Sequence, residues 1–351
     1  MTTARTSTTA GEWPRDGLEV VGRCPACGSS ERRLLYADLT DRTYMIAPGR
    51  WNLLQCSRCS CAYLDPRPTE PTIHLAYSHY YEGAALPVSG ERKGWRRLRR
   101  AVRNGYLNSR YGYRLTPAAR LGPLLAALVP RFREKADEAV RHLHARPGRP
   151  ALLDVGCGEG EFLAEMQLLG WAVEGIEPSV AAAAFARARG IPVIESTFAE
   201  ASVRAASLDA VTFRQVFEAL PDPVAALRTC QRALKPGGIL WIATPNLESQ
   251  AHRTFGRDWI FLDPPRHAVL QSPSSLSRLL STSGFEVVSI RASRHARWSF
   301  RLSAAIAHGH APFKRPPPLP RSTALRARLT DAQALLRPQL ADVIVVIARK
   351  S

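Results

Sequence analysis

The sequence predicts an α/β protein: a doubly wound, mostly parallel sheet from about residue 151 onward, preceded by a small cysteine-bearing module and a basic helical segment. Three observations carry this. Short apolar runs alternate with helical segments from Ala151 onward, the pattern of a parallel sheet covered on both faces. A glycine-rich turn, Asp154-Val155-Gly156-Cys157-Gly158-Glu159-Gly160, follows the first run and opens a helix. Two Cys-x-x-Cys pairs, Cys24/Cys27 and Cys56/Cys59, stand ahead of it.

Taken in order, residues 1–20 read as a flexible Thr-rich tail and residues 21–65 as a ribbon built on the cysteine pairs. Residues 66–146 form a connector followed by a basic helical segment. Pro66, Pro68 and Pro71 with Tyr77, His79, Tyr80 and Tyr81 make the connector; the tyrosines pack ribbon against core or reach the pocket. Arg146-Pro147-Gly148-Arg149-Pro150 breaks the helical pattern and opens the domain spanning 147–351. Strands are expected at 151–156, 172–177, 192–195, 208–215, 239–243, 286–290 and 343–348. Helices are expected at 161–169, 180–189, 199–205, 224–234 and 274–283, with Lys235-Pro236-Gly237-Gly238 as a stop. Residues 293–340 form an insertion before the last strand, with a Pro-rich break at Lys314–Pro320.

With 351 residues, 45% of them hydrophobic, the chain can bury a core without a disulfide framework. No run reaches the roughly 18 apolar residues that span a bilayer, and no signal core opens the chain. A soluble protein in a reducing cytoplasm is the expectation. The net charge of +18 invites a nucleic-acid reading, but residues 151–290 carry more acids than bases. The surplus sits at Arg92–Arg114 and beyond Arg291. The first stretch, with Trp95 and Tyr106 interleaved, suits a solvated helix face or an amphipathic helix touching anionic lipid or an acidic substrate.

In the glycine turn, a missing side chain lets a ligand approach the backbone. A bound molecule in such a sheet lies beyond the carboxyl ends of the strands. Asp154 and Glu159 would repel a diphosphate there and favour a cation, and Glu177, about 20 residues on, can accept both hydroxyls of a ribose. S-adenosylmethionine carries an ammonium, a sulfonium and a ribose, and no phosphate.

This turn resembles motif I of the class I S-adenosylmethionine-dependent methyltransferases. Val173-Glu174-Gly175-Ile176-Glu177-Pro178-Ser179 resembles their second motif. Leu208–Val211 with Gln215–Pro223 resembles their fourth strand and its loop, and Leu234–Gly238 the turn before strand five. The subgroup is similar to the ubiquinone-biosynthesis O-methyltransferases, whose members often carry His where this chain has Gln215 and Ala219. The resemblance implies a Rossmann-like sheet of seven strands, the last antiparallel. It implies that Asp154, Gly156, Cys157, Gly158, Glu177 and Pro178 line the cofactor, Thr197 and Phe198 flank the adenine, and Gln215 lies near the methionine part.

Two-residue spacing lets Cys24, Cys27, Cys56 and Cys59 meet one tetrahedral Zn2+; four thiolates leave no open position, so the ion would be structural. Cys61 can stand in for Cys59, and a redox dithiol is the alternative reading. Cys230 reads as a core residue of a helix, and Cys157 as a small filler in its turn. In similar methyltransferases a stretch like Trp259–His267 covers the pocket. His267 is therefore the first candidate base, with a hydrogen bond to loop backbone as its other reading, and Glu218 the second. Asn246, Trp259 and Arg266 are the candidate substrate contacts. Asp263-Pro264-Pro265 resembles the acidic-Pro-Pro motif of nucleobase methyltransferases but falls after strand five, not four. The expected function is O-methylation of a small molecule or sugar in secondary or envelope metabolism. The rivals are an RNA methyltransferase with a ribbon that binds RNA, and a non-enzymatic ribbon module fused to a degenerate domain.

Overall fold

The computed structural model describes residues 11–77, 93–314 and 316–351. Expectations for the first ten residues, for His79, Tyr80, Tyr81 and Arg92, and for Arg315 in the Pro-rich break lie outside the described residues. The elements run β1 (Leu18–Glu19), β2 (Arg32–Leu39), β3 (Trp51–Cys56), β4 (Ala62–Leu64), β5 (Arg67–Pro68), α1 (Lys93–Tyr111), α2 (Gly122–Leu128) and α3 (Pro130–Ala139). There follow β6 (Ala151–Val155), α4 (Glu161–Leu168), β7 (Ala172–Ile176), α5 (Val180–Ala188), β8 (Val193–Ile194), β9 (Leu208–Arg214), α6 (Pro223–Ala233) and β10 (Leu234–Pro245). The chain ends with α7 (Gln250–Phe255), β11 (Val269–Leu270), α8 (Pro273–Thr282), β12 (Phe285–Ser293), α9 (Ala296–Ala307), α10 (Arg321–Leu336) and β13 (Val343–Lys350).

Seven strands form the main sheet in the order β12-β13-β10-β9-β6-β7-β8. Neighbours β6 and β7, and β7 and β8, pair in parallel, while β13 runs antiparallel to β12. This is the expected α/β sheet with its reversed last strand. A four-stranded sheet, β11-β4-β3-β2, holds the ribbon. Its fourth member was not foreseen: β11 pairs Val269 with Tyr63 and Leu270 with Ala62. A two-residue strand leaves no periodicity to read.

Local chemistry sets most boundaries. Ser179 caps α5 by accepting from the Ala182 amide, and Ser272 with Ser275 forms a reciprocal capping box on α8, where Pro273 takes the first turn. Two expectations fail. No helix forms over 199–205: the Ala201 amide closes a single turn onto Thr197 O, and just past the stretch the Ala206 and Ser207 amides donate to Arg232 O and Ala233 O at the end of α6. Lys235–Gly238 does not separate α6 from its strand; β10 already begins at Leu234.

The chain packs as two compact units. One comprises Met1–Ala84, Phe213–Gln231 and Ile242–Ser351; the other comprises Ala85–Thr212 and Arg232–Trp241. Strands β9 and β10 pass from one into the other. In the second unit, Leu107, Tyr111 and Val140 of the helical segment share one apolar core with Leu152, Met166 and Trp171. Tyr106 and Tyr111 both donate to Asp137 at 2.7 Å, which ties α1 to α3. Among the described residues, no helix is long and apolar enough to cross a membrane.

Candidate active site

The glycine turn lies in the second unit. Gly156, Gly158 and Gly160 all have positive φ, and a Cβ built on Gly158 would meet nothing within 4 Å. The turn is therefore open at Gly158, as close approach of a ligand requires. Glu177 ends β7 and locks the turn: its Oε2 accepts from the Gly158 amide and its Oε1 from the Ser179 amide, both at 2.9 Å. An open, side-chain-free turn beside a backbone-fixed carboxylate fits a ribose-bearing, phosphate-free cofactor.

Asp154 is corrected, while Cys157 takes the filler place read from the sequence. Asp154 does not face a ligand. Its side chain is 1% exposed, its Oδ1 pairs with the Arg141 guanidinium, and Thr212 Oγ1 donates to the same oxygen at 2.9 Å. The charge expected to attract a cation is thus cancelled inside the protein. Arg141 lies between the rings of Phe162 and Trp241, 3.6 and 5.2 Å from their centroids, and takes a left-handed backbone with φ +46°. Cys157 is a packing residue: its sulfur fills the space where a Cβ at Gly175 would stand, and burial pushes its thiol up to about 12. Glu159 remains at the surface and pairs with Arg189 at 3.5 Å. Pro178 is exposed, Phe198 is buried, and Thr197 Oγ1 donates to Glu200 Oε2 at 3.1 Å.

The other unit holds the acceptor-side candidates. Gln215 is exposed just past β9, with φ +54° and its amide donating to Ala243 O at 2.8 Å. A non-glycine residue held at positive φ at a strand end is a mark of functional sites. Glu218 sits in the next turn, fully buried. Thr244 Oγ1 donates to its Oε2 at 2.9 Å, and its Oε1 has no hydrogen-bond partner. Burial raises the Glu218 carboxyl above its ordinary value, against the pull of His267 and of Thr244.

His267 Nδ1 lies 2.8 Å from Phe261 O. A carbonyl can only accept, so Nδ1 carries a proton and Nε2 is the ring nitrogen left to exchange one. That nitrogen is 3.8 Å from Glu218 Oε1 and 3.9 Å from Asp263 Oδ2, and the side chain is 14% exposed. The ring thus has an oriented nitrogen, carboxylates behind it and an edge toward solvent.

The three substrate candidates are corrected. Arg266 is 2% exposed and spent on structure: it grips Asp263 through Nε and Nη2 at 3.0 and 2.7 Å, Asp41 at 2.6 Å and Ala76 O at 2.8 Å. Asp41 in turn accepts four backbone amides between Thr43 and Ala47. Burial would raise the Asp41 carboxyl, but Arg266 and these amides hold it below its usual value. Asn246 donates to Gln339 O and Ala341 O and accepts from the Glu248 amide, so all its capacity faces inward. Trp259 is buried against His252, whose Nε2 meets Tyr36 Oη at 3.0 Å. Sequence reasoning missed Arg141, Asp41 and Thr244. The four closely spaced amides after Asp41 carry no residue signature; Thr244 beside Asn246 was the nearest available hint.

The sulfurs of Cys24, Cys27, Cys56 and Cys59 all lie within 4.8 Å of one another. A tetrahedral zinc–thiolate site has an S···S edge of about 3.8 Å, and the observed Cys24–Cys59 and Cys27–Cys56 pairs are at 3.5 and 3.6 Å. Both knuckles close alike, with Gly28 N to Cys24 O and Ser60 N to Cys56 O, and with left-handed Gly28 and Ser60. The donor set fits a structural ion. Cys61 is buried at the edge of the cluster, 3.3 Å from Cys24 and 3.4 Å from Cys59.

Against known proteins, residues 119–290 match a family described as a methyltransferase domain. The chain is 32% identical over 152 residues to a ubiquinone biosynthesis O-methyltransferase of Azoarcus sp. (strain BH72), covering 40% of this chain and 65% of that relative. It is 30% identical over 168 residues to the protein of the same name from Xanthomonas axonopodis pv. citri (strain 306), covering 44% of this chain and 70% of the relative. The chain spans less than two thirds of the Azoarcus protein's own length. Among solved structures, an S-adenosylmethionine-dependent methyltransferase from Mesorhizobium loti aligns with a TM-score of 0.42 at 20% identity, over 66% of this chain and 98% of that one.

Proposed function

This chain belongs to the class I S-adenosylmethionine-dependent methyltransferases, and on that premise we propose that it methylates a hydroxyl of a small molecule or sugar, with His267 as the base. When bound, S-adenosylmethionine supplies an activated methyl group on sulfur. The protein's task is then to align the acceptor and to take its proton. Gly156, Gly158 and Glu177 would hold the cofactor. His267 Nε2 takes the hydroxyl proton, and the cationic ring gains the nearby carboxylates of Glu218 and Asp263. Ring protonation draws Glu218 toward its ionised form, while the Phe261 carbonyl keeps Nδ1 protonated throughout.

The observation that carries this reading is the buried Glu218 Oε1, unpaired and 3.8 Å from an imidazole whose other nitrogen is fixed. The relatives' printed names, which specify O-methylation, support the oxygen acceptor. For the cysteine cluster we propose a structural Zn2+ held by Cys24, Cys27, Cys56 and Cys59.

The test uses labelled S-adenosylmethionine with a panel of phenols, sugars and amines. Label should enter hydroxyl acceptors, and His267→Ala should lower kcat by about 10²–10⁴-fold while S-adenosylhomocysteine affinity by calorimetry stays unchanged. Full turnover in that variant removes His267 as the base, and label entering amines alone moves the chemistry to nitrogen.

A further inference from the structure

In α2 the usual arrangement of a surface helix is inverted. Gly122 and Ala126 are buried, while Leu121, Leu124, Leu125 and Leu128, spaced i, i+3, i+4 and i+7, stand 65%, 59%, 42% and 72% exposed. That spacing gathers the leucines on one face, the face a helix normally buries. The start of α1 shows the same fault. Trp95, Leu98, Val102 and Gly105 fall along one stripe. Its second half is covered: a Cβ on Gly105 would overlap Ala119 O, and one on Gly122 would meet Val102 O and Tyr106 N. Its first half is bare, with Trp95 58% and Leu98 52% exposed. The glycine crossing joins α1 to α2, so the two apolar rows lie on neighbouring, closely packed helices of one unit.

The charge around these rows says what covers them. Residues 93–133 contain no Asp or Glu, and the exposed Arg97 and Arg100 of α1 stand on the side of the helix away from the Trp95 and Leu98 stripe. Leucine and tryptophan exposed on one face with arginine on the other is the composition of a helix that lies in a lipid interface. RNA offers bases and phosphates, and an aliphatic leucine row gains little from either. A second copy would bring two arginine-rich surfaces together. We propose that the start of α1 and the leucine face of α2 form a docking surface for an anionic lipid bilayer. Leucine and tryptophan enter the acyl boundary, and the arginines meet the headgroup phosphates. The proposal is independent of the acceptor.

The experiment is flotation of the purified full-length protein with vesicles of phosphatidylcholine alone or with 30% phosphatidylglycerol, at low and high salt. Binding should appear with the anionic vesicles only and fall as salt rises. Leu124→Ser/Leu128→Ser should lower the bound fraction at least tenfold, and Arg97→Gln/Arg100→Gln should lower it severalfold, with S-adenosylhomocysteine affinity and circular dichroism unchanged. All four side chains are exposed, so these substitutions leave the core intact. The proposal is overturned if anionic vesicles do not capture the protein, or if both variants float like the wild type. It is equally overturned if the leucine substitutions convert a stable dimer to a monomer in light scattering, or if the protein carries RNA whose removal abolishes vesicle capture.

Discussion

Asp154 and Glu218 are both carboxylates buried at the ends of sheet strands, each with one oxygen that accepts no hydrogen bond, and they differ in the charged partner they are given. Asp154, ending β6, is met by the Arg141 guanidinium and the Thr212 hydroxyl. Glu218, past β9, has one hydroxyl on one oxygen and an imidazole 3.8 Å from the other. The first is a neutralised pair in the strand from which the glycine turn starts. The second retains an unmet electrostatic demand, which an arriving proton on His267 satisfies. Inside one chain, the partner given to a buried charge separates scaffold from chemistry.

The largest effect should come from breaking the neutralised pair. Arg141→Met leaves Asp154 buried without its counter-ion and should cost about 3–5 kcal/mol in urea unfolding. Adding Asp154→Asn should recover most of that. If the single variant unfolds like the wild type, the pair does not stabilise the fold.

Asp342 sharpens the contrast from the other side. It is buried: Ser299 donates to it, and Ser249 and the Ala251 amide also draw its carboxyl down, yet burial pushes it up to about 6. The folded protein therefore holds this proton more tightly than the unfolded chain does. The resulting stabilisation is complete below the ordinary value of 3.8 and is lost as pH rises through 6. The swing is about 3 kcal/mol. Asp342→Asn should flatten stability between pH 4 and 7 in thermal melts and leave the pH dependence of turnover unmoved. A parallel shift in the rate profile would mean that Asp342, not Glu218, is coupled to the reaction.

The smallest effect belongs to the fifth thiol. Cys61→Ser should keep one zinc per chain by elemental analysis and shift the melting temperature by a few degrees at most, whereas Cys59→Ser should release the ion. Loss of metal from the Cys61 variant alone would make it the ligand.

What could be read from residue order was what repeats or stays local. The alternation of strands and helices, the glycine turn and the cysteine knuckles are each contained within a few residues, so composition and spacing reveal them. Side-chain direction was not legible. Asp154 points to Arg141, which lies in a segment read as a mere basic helix, and Arg266 is consumed by Asp41, 225 positions earlier. Sequence spacing shows that a charge exists; only the folded chain shows which partner has already claimed it. The helix expected at 199–205 stops after one turn, and the chain just beyond it is held by carbonyls at the end of α6.

One small feature limits how this protein could be recombined. Strand β11 begins two residues after His267 and is hydrogen-bonded into the cysteine-bearing sheet at Tyr63 and Ala62. The N-terminal ribbon is therefore not a detachable tag. A chimera that exchanged residues 21–65 for a foreign ribbon would need to bring the matching stretch around residues 263–270 with it, or the imidazole would be set down in the wrong register.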